Sequence, residues 1–415
     1  MRVYIIAEQS SRAGIYGVGT YIRSLCDCVE YCGYRCSIIH LGSEKKSLIV
    51  EKDGLGVEHF YFPEIEGMKE TPIYYKSIVY ILRDLIADRE ERSFFHLSSH
   101  AQLWMIRELR SYFPDCVVLY SIHYFNWIFS LSGSTNYLND ILSGNDQAWN
   151  AHFAKCIRND FQQEQILFHK VDKVLCLSHF AYNVVTTIAG IDSNSLSLVY
   201  NGLKDERILR SLEDIQRIKK RYNLPLHEKI ILFAGRLDQV KGVVHIIKAY
   251  KELKKEYTDC HLVMIGEGDF PYYLEIAEET CGSILFTGRL AKDKLYELYS
   301  IADFGVMQSF HEQCSYVGIE MMMHALPIIG TNSSGLDEMI IEGETGLKLP
   351  VIEQNNSADV DIDLLKDKML FLLQNSERRE YMSQKARERF EKCYSIEVME
   401  RKMSYLYKSF VSVFP

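Results

Sequence analysis

The chain has 415 residues, with 47% hydrophobic and 25% charged side chains and a formal net charge of −9. This length exceeds one compact core, so we expect two domains, and the ordinary composition excludes disorder on a large scale. The acidic balance gives no reason to expect a nucleic-acid partner. No uncharged apolar stretch reaches the roughly 18 residues that a membrane span requires. The first ten residues lack the pattern of a signal peptide, so we expect a cytoplasmic protein.

Apolar runs of strand length alternate with longer segments of helical period, and the alternation begins again halfway along the chain. Such alternation predicts an α/β fold with helices on both faces of parallel sheets, and two rounds predict two doubly wound domains. We place an N-terminal domain at 1–202, a C-terminal domain at 203–393 and a final helical segment at 394–415. The predicted strands are Val3–Ala7, Ser37–Leu41, Phe94–Leu97, Val117–Ile122, Lys173–Leu177, Leu196–Val199, Ile230–Ala234, His261–Ile265, Ile284–Thr287, Phe304–Met307, Pro327–Gly330 and Gly346–Leu349.

Three stretches stand apart from this pattern. Residues 126–165 are longer than an ordinary connection, which indicates either an excursion with a binding role or a decoration of the fold. Residues 73–87 are apolar but interrupted by charges, and we interpret them as an amphipathic core helix. Four clustered cysteines lack the paired spacing of zinc ligands, so we interpret them as buried thiols in a reducing compartment. They are Cys26, Cys28, Cys32 and Cys36.

Two cations follow the first predicted strand of the second domain. Arg236 comes directly after the strand and its glycine, and Lys241 lies near the start of the next helix. Ligands of doubly wound sheets bind at the carboxyl ends of strands. A helix N-terminus favours anions, and an arginine can bind two phosphate oxygens at once. The two cations therefore suit a diphosphate, although such a pair standing alone would more often be ordinary surface charge.

Two glutamates, eight positions apart, follow the strand Phe304–Met307. Glu312 falls in the loop, and Ser315 is a good N-cap for a helix that carries Glu320 in its second turn. Both carboxylates could face one cleft and accept hydrogen bonds from sugar or ribose hydroxyls, while N–H groups from Ser315 and Tyr316 onward could hold a phosphate oxygen. The apolar neighbours of Glu320 predict a buried helix, in which a carboxylate needs a partner.

Weaker signals follow other strands. Glycines around Gly17 allow close backbone approach, but their G-x-x-G-x-G order is not the dinucleotide fingerprint, which disfavours a nicotinamide dehydrogenase. Gly266 follows one strand of the second domain and Gly288-Arg289 follows the next, and both signals are unspecific alone. His123 follows Val117–Ile122, where a histidine can bind or polarise a ligand or serve the structure only.

Taken in order, these elements resemble the retaining GT-B glycosyltransferases of family 4, which belong to glycosyl transferases group 1. The likeness covers nearly the whole chain and is strongest over 198–349. It implies a GT-B fold, in which two Rossmann-like domains face each other across a cleft and the last helix crosses back to the first domain. The matching residues are Gly14–Gly19, Ser121–His123, Leu198–Gly202, Phe233–Gly242, Met264–Gly268, Phe286–Gly288, Glu312, Glu320, Pro327, Gly335–Glu338 and Gly343–Gly346.

The resemblance also implies roles. Arg236 and Lys241 would bind the donor diphosphate, Glu312 would contact the transferred sugar, and Glu320 would hold the ribose hydroxyls. His123 would lie near the transferred sugar. The implied catalytic residues are therefore His123, Arg236, Lys241 and Glu312, and the implied donor-binding residues are Gly17, Arg236, Lys241, Gly266, Arg289, Leu290, Glu312, Ser315, Tyr316 and Glu320.

The mechanism that the resemblance implies is retaining and independent of metals and cofactors. Cations at the diphosphate would stabilise the charge that develops on the leaving group, so no metal ion is required. Asp359, Asp361 and Asp363 lie in a predicted connection, and we interpret them as a solvated face rather than a metal site. The family favours a UDP-linked hexose as donor, in the synthesis of a bacterial glycan, glycolipid or glycopeptide.

Two alternative functions remain. A nucleotide-sugar 2-epimerase is disfavoured by the spaced glutamates. A catalytically silent partner subunit would keep the fold but lose donor-binding residues, and all four of the main candidates are present. The sequence leaves open the donor base and sugar, the acceptor, the oligomeric state and a weak association with membranes.

Overall fold

The structure is a computed structural model that describes residues 1–8, 17–68, 71–86, 92–354 and 356–411. The chain divides into two compact units, which we call the first unit and the second unit. The first comprises 1–127, 139–202 and 396–415, and the second comprises 128–138 and 203–395. Residues 128–138, which the sequence assigns to the N-terminal domain, thus cluster with the second unit. Within the described ranges, no helix is long and apolar enough to cross a bilayer.

The first unit is built on the strands β1 Arg2–Glu8, β2 Arg35–Ser43, β3 Ile49–Lys52, β4 Glu58–Pro63, β5 Ser93–Leu97, β6 Val117–Ile122, β7 Lys173–Cys176 and β8 Leu196–Leu198. They form one sheet in the order β3-β4-β2-β1-β5-β6-β7-β8. Every neighbouring pair is parallel except β3 and β4. The order reverses direction between β1 and β5, which is the topological switch point of this sheet.

The second unit contains the strands β9 Lys229–Ala234, β10 Cys260–Ile265, β11 Ile284–Gly288, β12 Phe304–Met307, β13 Ile328–Thr331, β14 Gly346–Leu349, β15 Val351–Gln354 and β16 Ser357–Val360. The first six form a parallel sheet in the order β11-β10-β9-β12-β13-β14, and the last two form an antiparallel hairpin. The switch point lies between β9 and β12, where a doubly wound sheet binds its ligands.

Helices cover the two sheets. They are α1 Gly17–Tyr31, α2 Pro72–Ile86, α3 Leu103–Tyr112, α4 Thr135–Ser143, α5 Ala151–Lys170, α6 His179–Asn183, α7 Leu212–Arg221, α8 Val243–Glu256, α9 Phe270–Ala277, α10 Lys292–Tyr299, α11 Tyr316–Met323, α12 Ser334–Met339, α13 Ile362–Gln374, α14 Ser376–Arg389 and α15 Ile396–Val411. The central strands of each sheet are buried and apolar, because both of their faces lie under helices.

The last helix, α15, packs against α1 in the first unit. Its apolar stripe of Met399, Met403, Leu406 and Tyr407 is buried. The Tyr407 ring meets the Phe94 ring of β5 edge-on, with centroids 5.4 Å apart. Arg92 Nη1 donates to the Phe410 carbonyl over 2.6 Å. Helix α15 is thus a structural part of the first unit.

All twelve predicted strands are confirmed, with ends that differ by at most two residues. The predicted helix at 73–87 is confirmed as α2 up to Ile86, and residue 87 lies outside the described residues. The buried face of α2 includes Tyr75, Val79 and Leu82. The long stretch 126–165 is largely helical and contains α4 and most of α5. Four strands were not predicted, namely β3, β4, β15 and β16.

The three aspartates are exposed, as expected of a solvated face, but the prediction that they lie in a connection is wrong. Asp359 lies in β16 and accepts from His245 Nε2 over 2.8 Å. Asp361 is the N-cap of α13, and its side chain accepts from the Leu364 amide. Two of the three acids therefore have structural partners, and they mark the end of a hairpin and the start of a helix.

Candidate functional site

The turn that follows β9 carries both predicted cations. Asp238 begins a single 3₁₀ turn over Gln239–Lys241, and its side chain accepts from the Lys241 amide over 3.1 Å. Gly242 then adopts a left-handed conformation with φ of 64°, and a Cβ there would stand 2.3 Å from the Gln308 carbonyl oxygen. Only glycine fits this position, so the turn lies directly against the segment that leaves β12.

Lys241 and Glu312 form an ion pair at the switch point of the sheet. Lys241 Nζ donates to Glu312 Oε1, and Ser309 Oγ donates to the same oxygen over 3.0 Å. The two charged side chains are only 21% and 13% exposed. The structure therefore brings together two predicted site residues that follow the neighbouring strands β9 and β12. A partly desolvated pair of this kind holds both groups in a fixed geometry.

The loop that carries Glu312 is fixed by a second loop. Ser334 Oγ accepts from the Glu312 amide over 2.9 Å and donates to the Glu312 carbonyl over 2.8 Å. The Gly335 amide donates to the same carbonyl over 2.8 Å. A Cβ on Gly335 would stand 1.7 Å from the Gln313 carbonyl oxygen. Ser334 and Gly335 thus position Glu312, a role that the sequence reasoning missed although Gly335 belonged to a recognised motif.

Arg236 pairs with Asp238, whereas Lys241 pairs with Glu312. Arg236 Nη2 lies 3.2 Å from Asp238 Oδ2, and its side chain is 46% exposed. This half-exposed guanidinium is held at the edge of the same turn as Lys241. An ion pair this open to water is worth little energy, so the guanidinium is free to exchange Asp238 for a stronger anion.

Glu320 lies on α11 as predicted, and Ser315 is the N-cap of that helix, with its side chain accepting from the Gly318 amide over 3.4 Å. The carboxyl accepts from Tyr299 Oη over 3.1 Å and from Tyr296 Oη over 3.5 Å. Burial raises the pKa of Glu320 to about 7, and the tyrosine hydrogen bonds oppose that rise. The expected partner of this partly buried acid is therefore a pair of tyrosine hydroxyls on α10.

Three glycines end the neighbouring strands β9, β10 and β11. The Gly235 amide donates to the Ile265 carbonyl over 2.9 Å, and the Gly266 amide donates to the Gly288 carbonyl over 3.0 Å. A Cβ on Gly266, whose φ is 142°, would stand 1.8 Å from the Gly235 carbonyl oxygen. Gly266 is thus required for the packing of the strand ends. Arg289-Leu290 follows Gly288 directly at the same edge of the sheet.

In the first unit, His123 follows β6 and lies against Tyr21, with ring centroids 4.6 Å apart. Ser121 Oγ lies 2.6 Å from Tyr21 Oη and 2.6 Å from His96 Nε2, so β5 and β6 share a buried polar cluster with α1. Burial lowers the pKa of His123 to about 4 and that of His96 to about 3. Both imidazoles are consequently neutral at pH 7.

Gly17 is the first residue of α1, which begins after β1 at the switch point of its sheet. Residues 14–16 of the predicted glycine loop lie outside the described residues. In the described part of the loop, Gly17 and Gly19 belong to the first turn of the helix. A phosphate-binding role for Gly17 stays a prediction.

A cavity of about 420 Å³ lies in the second unit beside the turn that carries Lys241. Its volume falls within the range of roughly 300–1,000 Å³ for small-molecule pockets. Gly133 contributes to its wall from residues 128–138, and a Cβ there would stand 2.3 Å from the Phe310 carbonyl oxygen. Tyr137 Oη donates to the Ser357 carbonyl over 3.3 Å. Residues 128–138 are therefore packed against β16 and the loop after β12.

Residues 214–389 match the protein family described as glycosyl transferases group 1. Among curated proteins, N-acetyl-alpha-D-glucosaminyl L-malate synthase of Bacillus anthracis is 30% identical over 202 residues, which are 48% of this chain and 51% of that protein. Among solved structures, sucrose-phosphate synthase from Thermosynechococcus elongatus has a TM-score of 0.78 at 18% identity and covers 99% of both chains. HepE of Anabaena, in complex with UDP-glucose, has a TM-score of 0.70 at 12% identity and covers 99% of this chain and 100% of that chain.

The structural likeness over almost the entire length defines the fold class as GT-B. Over residues 214–389, the chain is similar to the glycosyl transferases group 1. The chain spans about half the length of the curated relatives it matches. The matched region contains the turn after β9, the loop after β12 and helix α11, so it includes most of the candidate site.

Proposed function

We propose that this chain is a retaining glycosyltransferase of family 4 that transfers a hexose from a UDP-linked donor to a glycan, lipid or peptide acceptor in the cytoplasm. The observation that carries the proposal is the Lys241–Glu312 pair at the switch point of the second sheet. Arg236 lies on the same turn as Lys241, and Glu320 follows Glu312 on the adjoining helix. This combination of two cations and two acids suits an activated sugar with a charged diphosphate and several hydroxyls.

The donor would exchange partners with the protein when it binds. Its diphosphate would compete with Glu312 for Lys241 and with Asp238 for Arg236, because a diphosphate carries more charge than a carboxylate. Glu312 would then accept a hydrogen bond from a hydroxyl of the transferred sugar, while Ser309 continued to hold the carboxylate in place. Glu320 would accept hydrogen bonds from the ribose.

Cleavage of the bond between the sugar and the diphosphate builds negative charge on the leaving oxygen. Lys241, Arg236 and the N–H groups at the start of α11 would stabilise that charge without reorganising, so the reaction would need no metal ion. Attack by the acceptor on the face that the diphosphate leaves would retain the configuration, as in the family. His123, neutral at pH 7, would serve as a hydrogen-bond partner of the sugar rather than as a cation.

The relative crystallised with UDP and with UDP-glucose supports a UDP-linked donor for this chain. The proposal is tested with purified protein, EDTA and a panel of UDP-, GDP- and ADP-sugars, with released nucleotide as the readout. We expect release from a UDP-hexose, increased by cell extract that supplies the acceptor. Product mass would identify the transferred sugar, and NMR of the new anomeric centre would decide between retention and inversion.

Two outcomes would contradict this function. No turnover of any donor, with or without extract, would favour a catalytically silent partner subunit. Conversion of a nucleotide sugar into its 2-epimer, without a glycosylated product, would favour the epimerase. A matched Lys241→Met variant controls for nucleotide that a contaminating hydrolase releases, because such release would persist in the variant.

A further inference from the structure

The Glu320 carboxyl is held by two tyrosines that lie one turn apart on α10. Tyr299 Oη donates to Oε2 over 3.1 Å, whereas Tyr296 Oη is 3.5 Å from Oε1. The Tyr299 side chain is fully buried, so its hydroxyl needs a partner inside the protein. The shorter distance makes Tyr299 the stronger donor, because hydrogen bonds weaken toward 3.5 Å.

His324 fixes the position of Tyr299. The two rings are stacked, with centroids 5.2 Å apart and planes inclined by 24°. His324 Nδ1 in turn lies 2.9 Å from the carbonyl oxygen of Glu320. The contacts therefore form a closed circuit that runs from the Glu320 carboxyl through Tyr299 and His324 back to the Glu320 backbone. Tyr299 is held by its hydroxyl at Glu320 and by its ring at His324, and these two contacts fix its orientation.

We propose that Tyr299 and His324 are positioning residues that present Glu320 as a carboxylate to the ribose of the nucleotide. This inference rests on the proposed function, because it concerns the acid that would hold the ribose. Only the ionised carboxyl accepts two hydrogen bonds from ribose hydroxyls without a competing proton. The tyrosine hydroxyls donate to that form and therefore favour it over the protonated acid.

The surroundings of Glu320 raise its pKa into the neutral range, so the hydrogen bonds from the tyrosine hydroxyls affect how much of it is ionised at pH 7. Burial, with a smaller contribution from the nearby Glu206 carboxylate, raises the pKa of Glu320 to about 7, although the tyrosine hydroxyls and Lys292 on α10 oppose the rise. Lys292 also pairs with Glu206 over 2.8 Å. Burial raises the pKa of Tyr299 and of Tyr296 well above the ordinary value, so both remain donors. Burial lowers the pKa of His324 to about 4, and this ring is neutral at pH 7.

The test measures UDP binding by calorimetry at pH 7 and pH 9. Tyr299→Phe removes the donor, so the pKa of Glu320 should rise and the affinity at pH 7 should fall about tenfold, as loss of one hydrogen bond to a charged group implies. The affinity should recover to within about threefold of wild type at pH 9, where Glu320 ionises again. Tyr296→Phe should show the same effect in weaker form, because its hydroxyl is more distant.

Tyr405→Phe is the matched control, since this tyrosine is 80% exposed on α15 and its variant should bind UDP like wild type. With 2′,3′-dideoxy-UDP, the effect of Tyr299→Phe should vanish. An equal loss at both pH values, or no loss at pH 7, overturns the proposal. Should Tyr299→Phe fail to fold, His324→Leu keeps the Tyr299 hydroxyl but removes its stacking partner and gives the same readouts.

A second measurement separates this inference from the proposed function. The carboxyl resonance of Glu320 is titrated by ¹³C NMR in ligand-free protein, with Glu320→Gln to assign it. We expect an apparent pKa near 7 in wild type and a higher value in Tyr299→Phe. An unchanged pKa overturns the positioning role even if UDP binds. Failure of wild type to bind UDP contradicts the proposed donor, and the titration still decides the role of Tyr299.

Discussion

The ammonium group of Lys241 donates to Oε1 of Glu312, although 71 positions separate the two residues in the sequence. The pairing joins the carboxyl ends of β9 and β12, which are neighbours in the sheet. Gly242 permits the approach, because a side chain at that position would collide with the Gln308 carbonyl. The cation and the acid are thus placed by the sheet order rather than by local sequence.

Lys241→Met should remove the charge while keeping most of the side-chain volume. We expect kcat to fall by about 10²–10³, the usual effect of losing one preorganised charge-stabilising donor. Released nucleotide is the measurement, with circular dichroism to verify folding. Lys255→Met, on the following helix α8, is the matched control, because Lys255 is an exposed partner of Glu252. A kcat within threefold of wild type would remove Lys241 from the mechanism.

Gly335→Ala should damage the site through the loop that carries Glu312. The added methyl would stand 1.7 Å from the Gln313 carbonyl, so the backbone must shift. We expect a loss of about 1–3 kcal/mol in unfolding free energy and a larger relative loss in kcat. Urea unfolding and released nucleotide measure the two effects.

Gly282→Ala is the control for this experiment, because no atom beyond the adjoining stretch of chain lies within 4 Å of the position its Cβ would take. It should leave stability and turnover close to wild type. If Gly335→Ala behaves in the same way, the loop tolerates displacement and Glu312 does not depend on it.

Glu164 should make the stability of the chain depend on pH. It is buried on α5, where its carboxyl accepts from the Asn126 amide over 2.6 Å, and burial raises its pKa to about 8. The folded state therefore holds a proton that the unfolded state releases near pH 4.5. The free energy of unfolding should fall as pH rises from 4.5 to 8, by an amount on the order of 4 kcal/mol.

Glu164→Gln should remove this contribution, since the amide stays neutral at every pH. Urea unfolding from pH 5 to pH 9 is the measurement, and the difference in slope between wild type and variant isolates Glu164. Glu30→Gln, a change on an exposed position of α1, should keep the wild-type slope. Identical slopes for Glu164→Gln and wild type would mean that Glu164 is ionised in the folded state.

His123→Ala should lower kcat about tenfold, as the loss of one hydrogen bond between neutral groups implies. Because burial lowers the pKa of His123 to about 4, the loss should be the same at pH 6 and pH 8. Initial rates at the two pH values are the measurement, and His169→Ala on the exposed side of α5 is the control. A loss that appears at only one of the two pH values would show that His123 titrates during catalysis.

The main strands could be predicted because they are buried between layers of helices, so that each forms an uninterrupted apolar run. β3 and β16 could not, because they are short hairpin strands whose side chains are largely exposed, and neither continuous nor alternating hydrophobicity marks them. The strand at Asp359 and the helix start at Asp361 could not be predicted for a similar reason. Their roles depend on His245 and on the start of α13, which are tertiary and capping contacts rather than features of the acidic pattern.

The site was predictable to the extent that it follows the ends of strands. Lys241 and Glu312 could be expected to share one edge of the sheet, and Glu320 could be expected to need a partner. The identity of that partner could not be inferred, because Tyr299 lies 21 positions earlier on a helix that precedes β12. The hydrogen bonds between Ser334 and the Glu312 backbone could not be predicted either, because they depend on how two loops pack.

Residues 128–138 belong to the second unit, although they lie in the first half of the sequence. Gly133 packs so closely against the Phe310 backbone that a side chain would not fit between them. A chimera with a relative, made by a single crossover at Gly202, would therefore combine the relative's counterpart of residues 128–138 with residues 203–395 of this chain. A transplant of the whole unit needs two further crossovers that flank 128–138. Fragments that begin at Leu203 would likewise leave the Phe310 backbone without the glycine that covers it.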